Sequence, residues 1–580
     1  MLPHTTEFSE VALQILRERY LQRDDAGELI ETPDGMLARV ARAIAEPAKL
    51  FGEDPRFWEA RFFERMKRLE FLPNSPTLMN AGLPGGQLAA CFVLPIEDDL
   101  DSIFTALARM ARIHQTGGGT GFSFSSLRPR EDRVRSTGGI TSGPLSFMEL
   151  FDQTTAVIRQ GGRRRGANMA VLRIDHPDIE EFIEAKRKPG RLENFNLSIG
   201  MTKAFLAAVE GGTAFGLRNP RSDRITRAVD AVTLFDRIVQ AAWATGDPGL
   251  LFLDEINKDN PTPALGIIEA TNPCGEQPLL PYESCTLGSI NLAAFVQGHE
   301  VQWSRLASAI HDAVVFLDNV VEANHHPFPE IGAATRRTRK IGLGVMGLAD
   351  LLARTGVPYD SEEGLTLANK IAEFLSSNAR AASMELGETR GSFPAFDQSV
   401  WRGRGFSALR NATVTCVAPT GTLSLLAGTS SAIEPFFALA LVRRMLDGQT
   451  IIETNSAVVE ELAALGGIGQ AALRGIKEHG SLRRLPDLPV ELRRRFPIAL
   501  EIAPQWHMRM AAFQAHVDAA VSKTVNLPHD APLAAVRDVF TLARRLRLKG
   551  ITVYRYGSRK EQTLSLVDAA ARPDCRECAV

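Results

Sequence analysis

Strand-like and helix-like segments alternate along most of this chain, over roughly 480 residues without a linker-like break, and that pattern points to one large α/β domain. Between about residues 71 and 290, short apolar runs alternate with glycine-rich loops: Pro73-Asn74-Ser75-Pro76, Gly117 to Gly121, Gly138-Gly139 and Gly161-Gly162. Helical periodicity dominates 303–323, 346–356 and 364–387, and strand-like segments return at Thr413 to Ala418 and Gly550 to Tyr554. Ahead of this domain, Val11 to Tyr20 and Leu37 to Ile44 carry apolar residues at helical spacing, punctuated by Asp34-Gly35 and Glu46-Pro47. The expected organisation is a helical segment at 1–70, an α/β domain at 71–560 and a tail at 561–580. A length of 580 residues would by itself suggest three or four units, so the unbroken alternation decides the matter.

Charge and composition narrow the function. Lys and Arg number 66 against 68 Asp and Glu, and this balance argues against a dedicated nucleic-acid binder. No apolar run is long enough to span a bilayer; the run from Phe436 to Val442 is closed by Arg443 and Arg444. The first residues lack a basic segment followed by an apolar one, so no secretory signal is expected and a cytoplasmic location is predicted. Six cysteines in such a length do not make a disulfide framework, and any thiols that matter do chemistry.

Those cysteines differ in their surroundings. Cys575 and Cys578 form a C-x-x-C near the end of the sequence, which reads as a mobile dithiol; half of a zinc site or an inert tail are the alternatives. Cys274 lies in Asn272-Pro273-Cys274-Gly275-Glu276, where the flanking Pro and Gly favour a tight, exposed loop tip. Asn, Cys and Glu at alternate positions can address one ligand with an amide, a reactive sulfur and a carboxylate base. An ordinary turn with a buried cysteine remains the alternative there. Cys91 (in Ala89 to Leu94), Cys285 (in Glu283 to Asn291) and Cys416 (in Thr413 to Ala418) each read, taken singly, as buried core thiols.

Three further segments bear on binding. Gly342-Leu343-Gly344-Val345-Met346-Gly347 satisfies the dinucleotide pattern G-x-G-x-x-G, but Thr335 to Lys340 before it is no buried strand, so close helix packing is the expected use of these glycines. Arg163-Arg164-Arg165, between Gly162 and Gly166, suits a loop that contacts nucleotide phosphates or bases. Pro419-Thr420-Gly421-Thr422-Leu423 follows a strand-like run with small residues whose backbone N–H groups suit a phosphate.

Together these segments resemble the catalytic chain of the ribonucleotide reductases, most closely the adenosylcobalamin-dependent class II type. The resemblance rests on Phe71 to Gly82, Thr116 to Phe124, Gly161 to Met169, Ala270 to Leu292, Lys340 to Asp350 and Ala418 to Pro435, in that order. It implies a ten-stranded α/β barrel with the catalytic cysteine on a finger loop inside, preceded by the helical segment. It also implies residue roles. Cys274 would become the thiyl radical that takes the ribose 3′-hydrogen, with Glu276 as base on the 3′-hydroxyl and Asn272 bonding the ribose hydroxyls. Cys91 and Cys285 would reduce the 2′-position and close into a disulfide, which Cys575 and Cys578 reopen before a thioredoxin-like donor recharges them. Cys416 is left as core filling.

Substrate, the resemblance implies, lies against Ser75, Ala90, Gly119, Pro273, Gly275 and the phosphate loop Pro419, Thr420, Gly421, Thr422 and Leu423. Gly162, Arg163, Arg164, Arg165 and Gly166 form the loop that reads the base. Asp98, Arg128 and Arg135 fall where the family binds a dNTP or ATP effector near a homodimer interface. Adenosylcobalamin is the implied cofactor, its cobalt held without a protein metal site. Relatives fed by a radical-generating partner carry adjacent tyrosines late in the chain, whereas Arg555 here separates Tyr554 from Tyr556. A class I large subunit is therefore the alternative, and an NAD(P)-dependent oxidoreductase a remote one. The N-terminal segment is too short for an ATP-cone, so control of specificity without overall dATP inhibition is expected.

Overall fold

The computed structural model describes residues 8–133, 138–160, 164–444, 450–558 and 565–566. Its main sheet contains ten strands: β1 (Phe71–Pro73), β2 (Cys91–Val93), β3 (Gly119–Ser123), β4 (Asn168–Arg173), β5 (Phe195–Met201), β6 (Gly249–Phe252), β7 (Ser284–Asn291), β8 (Ile341–Met346), β9 (Thr524–Leu527) and β10 (Gly550–Arg555). Strands β2 to β6 lie side by side and parallel. Strand β6 meets β10 antiparallel, β10 runs parallel to β9, and β7 runs parallel to β8 and antiparallel to β2.

The ring closes through the segment 413–417, which is too irregular to count as a strand. It bridges β8 at Leu343↔Thr415 and the stretch before β9 at Val417↔Val521, both parallel. Leu343 N–H donates to Val414 O (2.7 Å) and Val417 N–H to Ala520 O (3.0 Å). Counting that segment, ten staves form the barrel as two parallel halves joined at two antiparallel seams, β2–β7 and β6–β10, while β1 pairs with β7 beyond the ring. The α/β barrel implied by the resemblance is the observed fold.

Side-chain alternation follows from the strand period of two. Phe92 and Leu94, Ala170 and Leu172, and Leu250 and Phe252 pack outward into a core built with helices Leu100–Gln115, Pro144–Val157, Ala231–Thr245 and Leu533–Arg545. Their neighbours Cys91 and Val93, Met169 and Val171, and Leu251 belong instead to the other large core. That core also holds the N-terminal helices, among them Pro33–Ala45 and Pro55–Lys67, each opened by a proline and an N-cap side chain, Thr32 or Asp54. Helix Trp303–Ala323 lies behind β7 and β8, and its buried Asp318 accepts ion-paired contacts from Arg339 (2.7 Å), Arg410 (3.2 Å) and Arg390 (3.3 Å). Burial alone would raise that carboxyl, but the guanidinium groups outweigh it and hold it ionised.

One sequence expectation changes here. Gly342 and Gly344 are not helix-packing glycines; both lie within β8, so they are not the turn of a dinucleotide site either. A Cβ on Gly342 would stand 2.5 Å from Gln277 Nε2 and 2.6 Å from Cys416 Sγ, so this glycine makes room inside the barrel. The thiol of Cys416 is buried in the core as expected, with Gly342 beside it.

Candidate active site

A narrow hairpin crosses the barrel interior. Its rungs are Ala270↔Leu279 and Thr271↔Pro278, and its tip is Asn272 to Gln277. Asn272 closes the tip on itself: its carbonyl accepts from Gly275 N–H (3.1 Å), its side-chain oxygen from Gln277 N–H (2.9 Å), and its own N–H donates to Gln277 O (3.2 Å). Gly275 adopts φ +83°, which glycine alone takes without strain, and Cys274 beside it is exposed at the tip. The barrel wall is cut away to admit the hairpin. A Cβ on Gly121 of β3 would lie 1.7 Å from Thr271 O, so no larger residue fits there.

The tip is held from both halves of the barrel. Asn196, on β5, donates its amide to Pro273 O (2.8 Å), and Ala520 N–H donates to Glu276 O (2.9 Å). Asn272 and Glu276 are both 2% exposed, so the alternate-residue pattern yields two buried side chains flanking an exposed sulfur. Asn272 Nδ2 lies 3.2 Å from Cys91 Sγ.

Cys91 and Cys285 are direct cross-strand partners in the β2–β7 seam. Such antiparallel partners stand roughly 4.5–5.5 Å apart at Cα, within the range a disulfide spans. Burial pushes the Cys91 thiol well above the usual range, and Glu276, Cys285, Cys274 and Cys416 push it further. Burial does the same to Cys285, followed by Cys416, while Lys340 acts in the opposite direction. None of the four described cysteines is joined in a disulfide. The structure thus gathers Asn272, Pro273, Cys274, Gly275, Glu276, Cys91 and Cys285 at one place, with Gly119 against Pro273 and Ala90 O accepting from Gly119 N–H (2.8 Å).

Other candidate residues lie around this centre. Pro419 to Leu423 follow the closing segment and lead into the short helix Gly421–Ala427; Thr420 has φ +53° and its hydroxyl accepts from Ala432 N–H (2.8 Å). Ser75 opens the short helix Ser75–Asn80 and shares a 2.7 Å hydrogen bond with the Tyr20 hydroxyl. Asp98 and Arg128 pair with each other (Nε to Oδ2 2.8 Å) past the far ends of β2 and β3, apart from the thiols. Arg164 and Arg165 pair as backbone with Arg159 and Gln160, and Gly166 packs on the His114 ring. Arg135, Gly162, Arg163, Cys575 and Cys578 lie outside the described residues.

Sequence reasoning missed two contributors. Asn196 carries no local signal, being one polar residue in the strand Phe195–Met201. Lys340 and Glu283 form an ion pair (2.6 Å), with both side chains 2% exposed, immediately beside Cys285. Their spacing in the chain gives no hint of it.

Comparison with known proteins agrees with this architecture. Residues 89–554 match the family model described as ribonucleotide reductase, barrel domain, and residues 6–86 the one described as ribonucleotide reductase, all-alpha domain. A vitamin B12-dependent ribonucleoside-diphosphate reductase of Mycobacterium tuberculosis is 52% identical over 570 residues, covering 98% of this chain and 82% of that one. A protein of the same description from Thermoplasma acidophilum is 44% identical, covering 96% of this chain and 80% of that one. In fold, the chain is similar to the class Id ribonucleotide reductase alpha subunit of Actinobacillus ureae (TM-score 0.77, 24% identity, 95% and 97% of the two chains covered). The barrel, the hairpin inside it and these matches together make this chain a member of the ribonucleotide reductase large-chain family.

Proposed function

We propose that this chain reduces ribonucleotides, ribonucleoside diphosphates in the first instance, to 2′-deoxyribonucleotides with a cobalamin cofactor and three active-site thiols. The observation that carries the reading is the position of Cys91 directly opposite Cys285, next to a hairpin whose exposed tip is a third cysteine. When bound, adenosylcobalamin supplies the radical that makes Cys274 a thiyl. Cys274 then takes the ribose 3′-hydrogen, and Glu276 accepts the 3′-hydroxyl proton. The Asn272 amide orients the ribose hydroxyls. Cys91 and Cys285 give up two electrons and two protons, the 2′-hydroxyl departs as water and the two sulfurs join, after which Cys274 returns its hydrogen to C3′ and Glu276 the proton to the 3′-oxygen. Burial supports this division of labour, because a high thiol pKa keeps Cys91 protonated and able to donate. Pro419 to Leu423 and Ser75 hold the phosphates, with Ala90, Gly119, Pro273 and Gly275 lining the sugar.

The inward faces of β5, β9 and β10 fit the reactive end of a large polar cofactor: Asn196 and Thr552 are exposed there, and Asn526 and Tyr554 half-buried. These four residues would hold it. Arg555 points the other way, its guanidinium 3.9 Å from the Trp243 ring centre and bonded to the Trp243 and His529 carbonyls. Tyr554 and Tyr556 are thereby separated by an anchored residue, which favours the cobalamin-dependent type over one fed by a partner subunit. Outside the barrel, helices Leu100–Gln115 and Pro144–Val157 pack together and expose Leu100 (62%), Phe104 (50%) and Val157 (79%), a face suited to a second copy of the chain. An effector nucleotide at Asp98, Arg128 and Arg135 would lie near that contact, and the loop with Arg163, Arg164 and Arg165 would relay its identity. Cys575 and Cys578 would reopen the internal disulfide, recharged by a thioredoxin-like donor. No helix among the described residues is long and apolar enough to cross a membrane.

Single turnover without added reductant, followed by alkylation and peptide mapping, tests the assignment. In a Cys575→Ser/Cys578→Ser variant, whose tail cannot take the disulfide over, one Cys91–Cys285 disulfide per deoxynucleotide formed is expected, and none when Cys274→Ser is added. Product formation with both thiols still reduced would refute it.

A further inference from the structure

We infer that the buried Lys340–Glu283 pair gives the thiol couple a direction, so that an incoming thiol attacks Cys91 and Cys285 is the sulfur that leaves. This rests on the reading of Cys91 and Cys285 as the reducing pair. Thr286 and Ile341 are partners in the parallel β7–β8 ladder, so Cys285 and Lys340, one residue earlier on each strand, are neighbours. Lys340 is fixed in place. Its ammonium donates to Glu283 Oε2 (2.6 Å), which also accepts from Leu280 N–H (2.7 Å), while Glu283 Oε1 accepts from the Thr338 hydroxyl (2.7 Å). An apolar pair would fill this space without the cost of desolvating two charges, so the charges call for a local use.

The two thiols differ in their charged neighbours. Around Cys285, burial, Cys416, Glu276 and Glu283 all disfavour the thiolate, and Lys340 is the group that favours it. Around Cys91, burial, Glu276, Cys285, Cys274 and Cys416 all act against the thiolate, with no cation among them. Access differs in the same sense. Cys91 contacts the Asn272 amide at the hairpin tip and is 3% exposed, whereas Cys285 is 0% exposed and its thiol donates to Thr286 O (3.5 Å).

The exchange step balances with an external dithiol as reductant. One thiolate of the dithiol attacks Cys91 Sγ, the Cys91–Cys285 bond breaks, and its electron pair stays on Cys285 Sγ beside Lys340. The second thiol of the dithiol then attacks the sulfur of its own mixed disulfide. The oxidised dithiol leaves with Cys91 released, and the two thiol protons of the dithiol end on Cys91 and Cys285. A lower leaving-group pKa speeds such an exchange, so the cation sets which sulfur departs.

The test starts from the full-length chain carrying Cys575→Ser and Cys578→Ser, so that the tail cannot reopen the disulfide, taken after one turnover, exposed briefly to glutathione, quenched in acid and mapped by mass spectrometry. Glutathione should be found on Cys91; glutathione on Cys285 overturns the inference. A paired variant, Lys340→Met with Glu283→Gln, removes both charges without stranding either. Reduction of its disulfide by dithiothreitol should slow at least tenfold, with its pH profile displaced to higher pH and glutathione spread over both cysteines. An unchanged rate, profile and distribution in that variant also overturns it. If the paired variant does not fold, the glutathione map of the tail variant with Lys340 and Glu283 intact still decides. Absence of any Cys91–Cys285 disulfide after turnover is a different failure, because it removes the proposed reducing pair itself.

Discussion

At one seam of the barrel, β2 against β7, the facing inward side chains are Cys91 and Cys285, buried to 3% and 0% exposure. At the other seam, β6 against β10, Gly249 faces Thr552, whose hydroxyl would lie 3.1 Å from a Cβ on that glycine, and Thr552 is exposed. Both seams arise in the same way, where the edge of one parallel half meets the edge of the other antiparallel. Their backbones are alike, and the difference lies in what the inward positions carry. One seam is dry and holds thiols kept protonated by burial. The other is open and polar, and it faces the same hairpin tip from the opposite side. A thiol reaction that must exclude water and a large cofactor that must enter can therefore share one small interior.

Substitutions at the two seams should separate these roles. Cys285→Ser should cut deoxynucleotide formation under multiple turnover by at least about a thousandfold, while circular dichroism stays unchanged. Thr552→Val should leave disulfide reduction untouched and raise the cobalamin concentration needed for half-maximal activity severalfold. If both variants lose thiol chemistry alike, the two seams do not divide the work.

A smaller loss is expected where the wall is cut away for the hairpin. Gly121→Ala places a methyl 1.7 Å from Thr271 O, and relieving that clash should cost about 1–3 kcal/mol and displace Cys274. The checks are a lower Tm and turnover reduced tenfold or more; an unaltered variant would show that the hairpin is not wedged against β3.

The smallest effect concerns the outer side of the open seam. His507 is fully buried, its Nε2–H donating to Ala499 O (3.0 Å) while Nδ1 accepts from Lys523 Nζ (3.2 Å), just ahead of β9. Burial and then the Lys523 charge lower its pKa to about 3, below the value near 6.5 of the unfolded chain. The unfolded state thus binds the extra proton first. The neutral ring's contribution is complete above about pH 6.5 and is lost as pH falls toward 3. Thermal melts at pH 7 and pH 5 should show a larger drop for the unaltered protein than for His507→Gln; equal drops would contradict this account of the seam's outer layer.

Much of the site could be read from the sequence because its signals are local. Proline and glycine around Cys274 specify an exposed tip at any location in a fold, and the long helices Trp303–Ala323 and Glu362–Arg390 announce themselves by period. Register is another matter. That Cys91 faces Cys285, that Lys340 lies beside Cys285, and that Asn196 reaches Pro273 all depend on strand pairings between distant segments, which no window of sequence contains. The glycines of β8 depart from their local pattern for the same reason: their use is set by Gln277 and Cys416, which arrive from elsewhere in the chain. Even the barrel's closure rests on 413–417, where two bridges do the work of a strand.

The most direct test of the central claim is turnover by the purified chain alone, supplied with adenosylcobalamin, dithiothreitol and a ribonucleoside diphosphate. Formation of the 2′-deoxynucleotide, lost in Cys274→Ser, is the predicted result. No product until a second, radical-generating protein is added would contradict it.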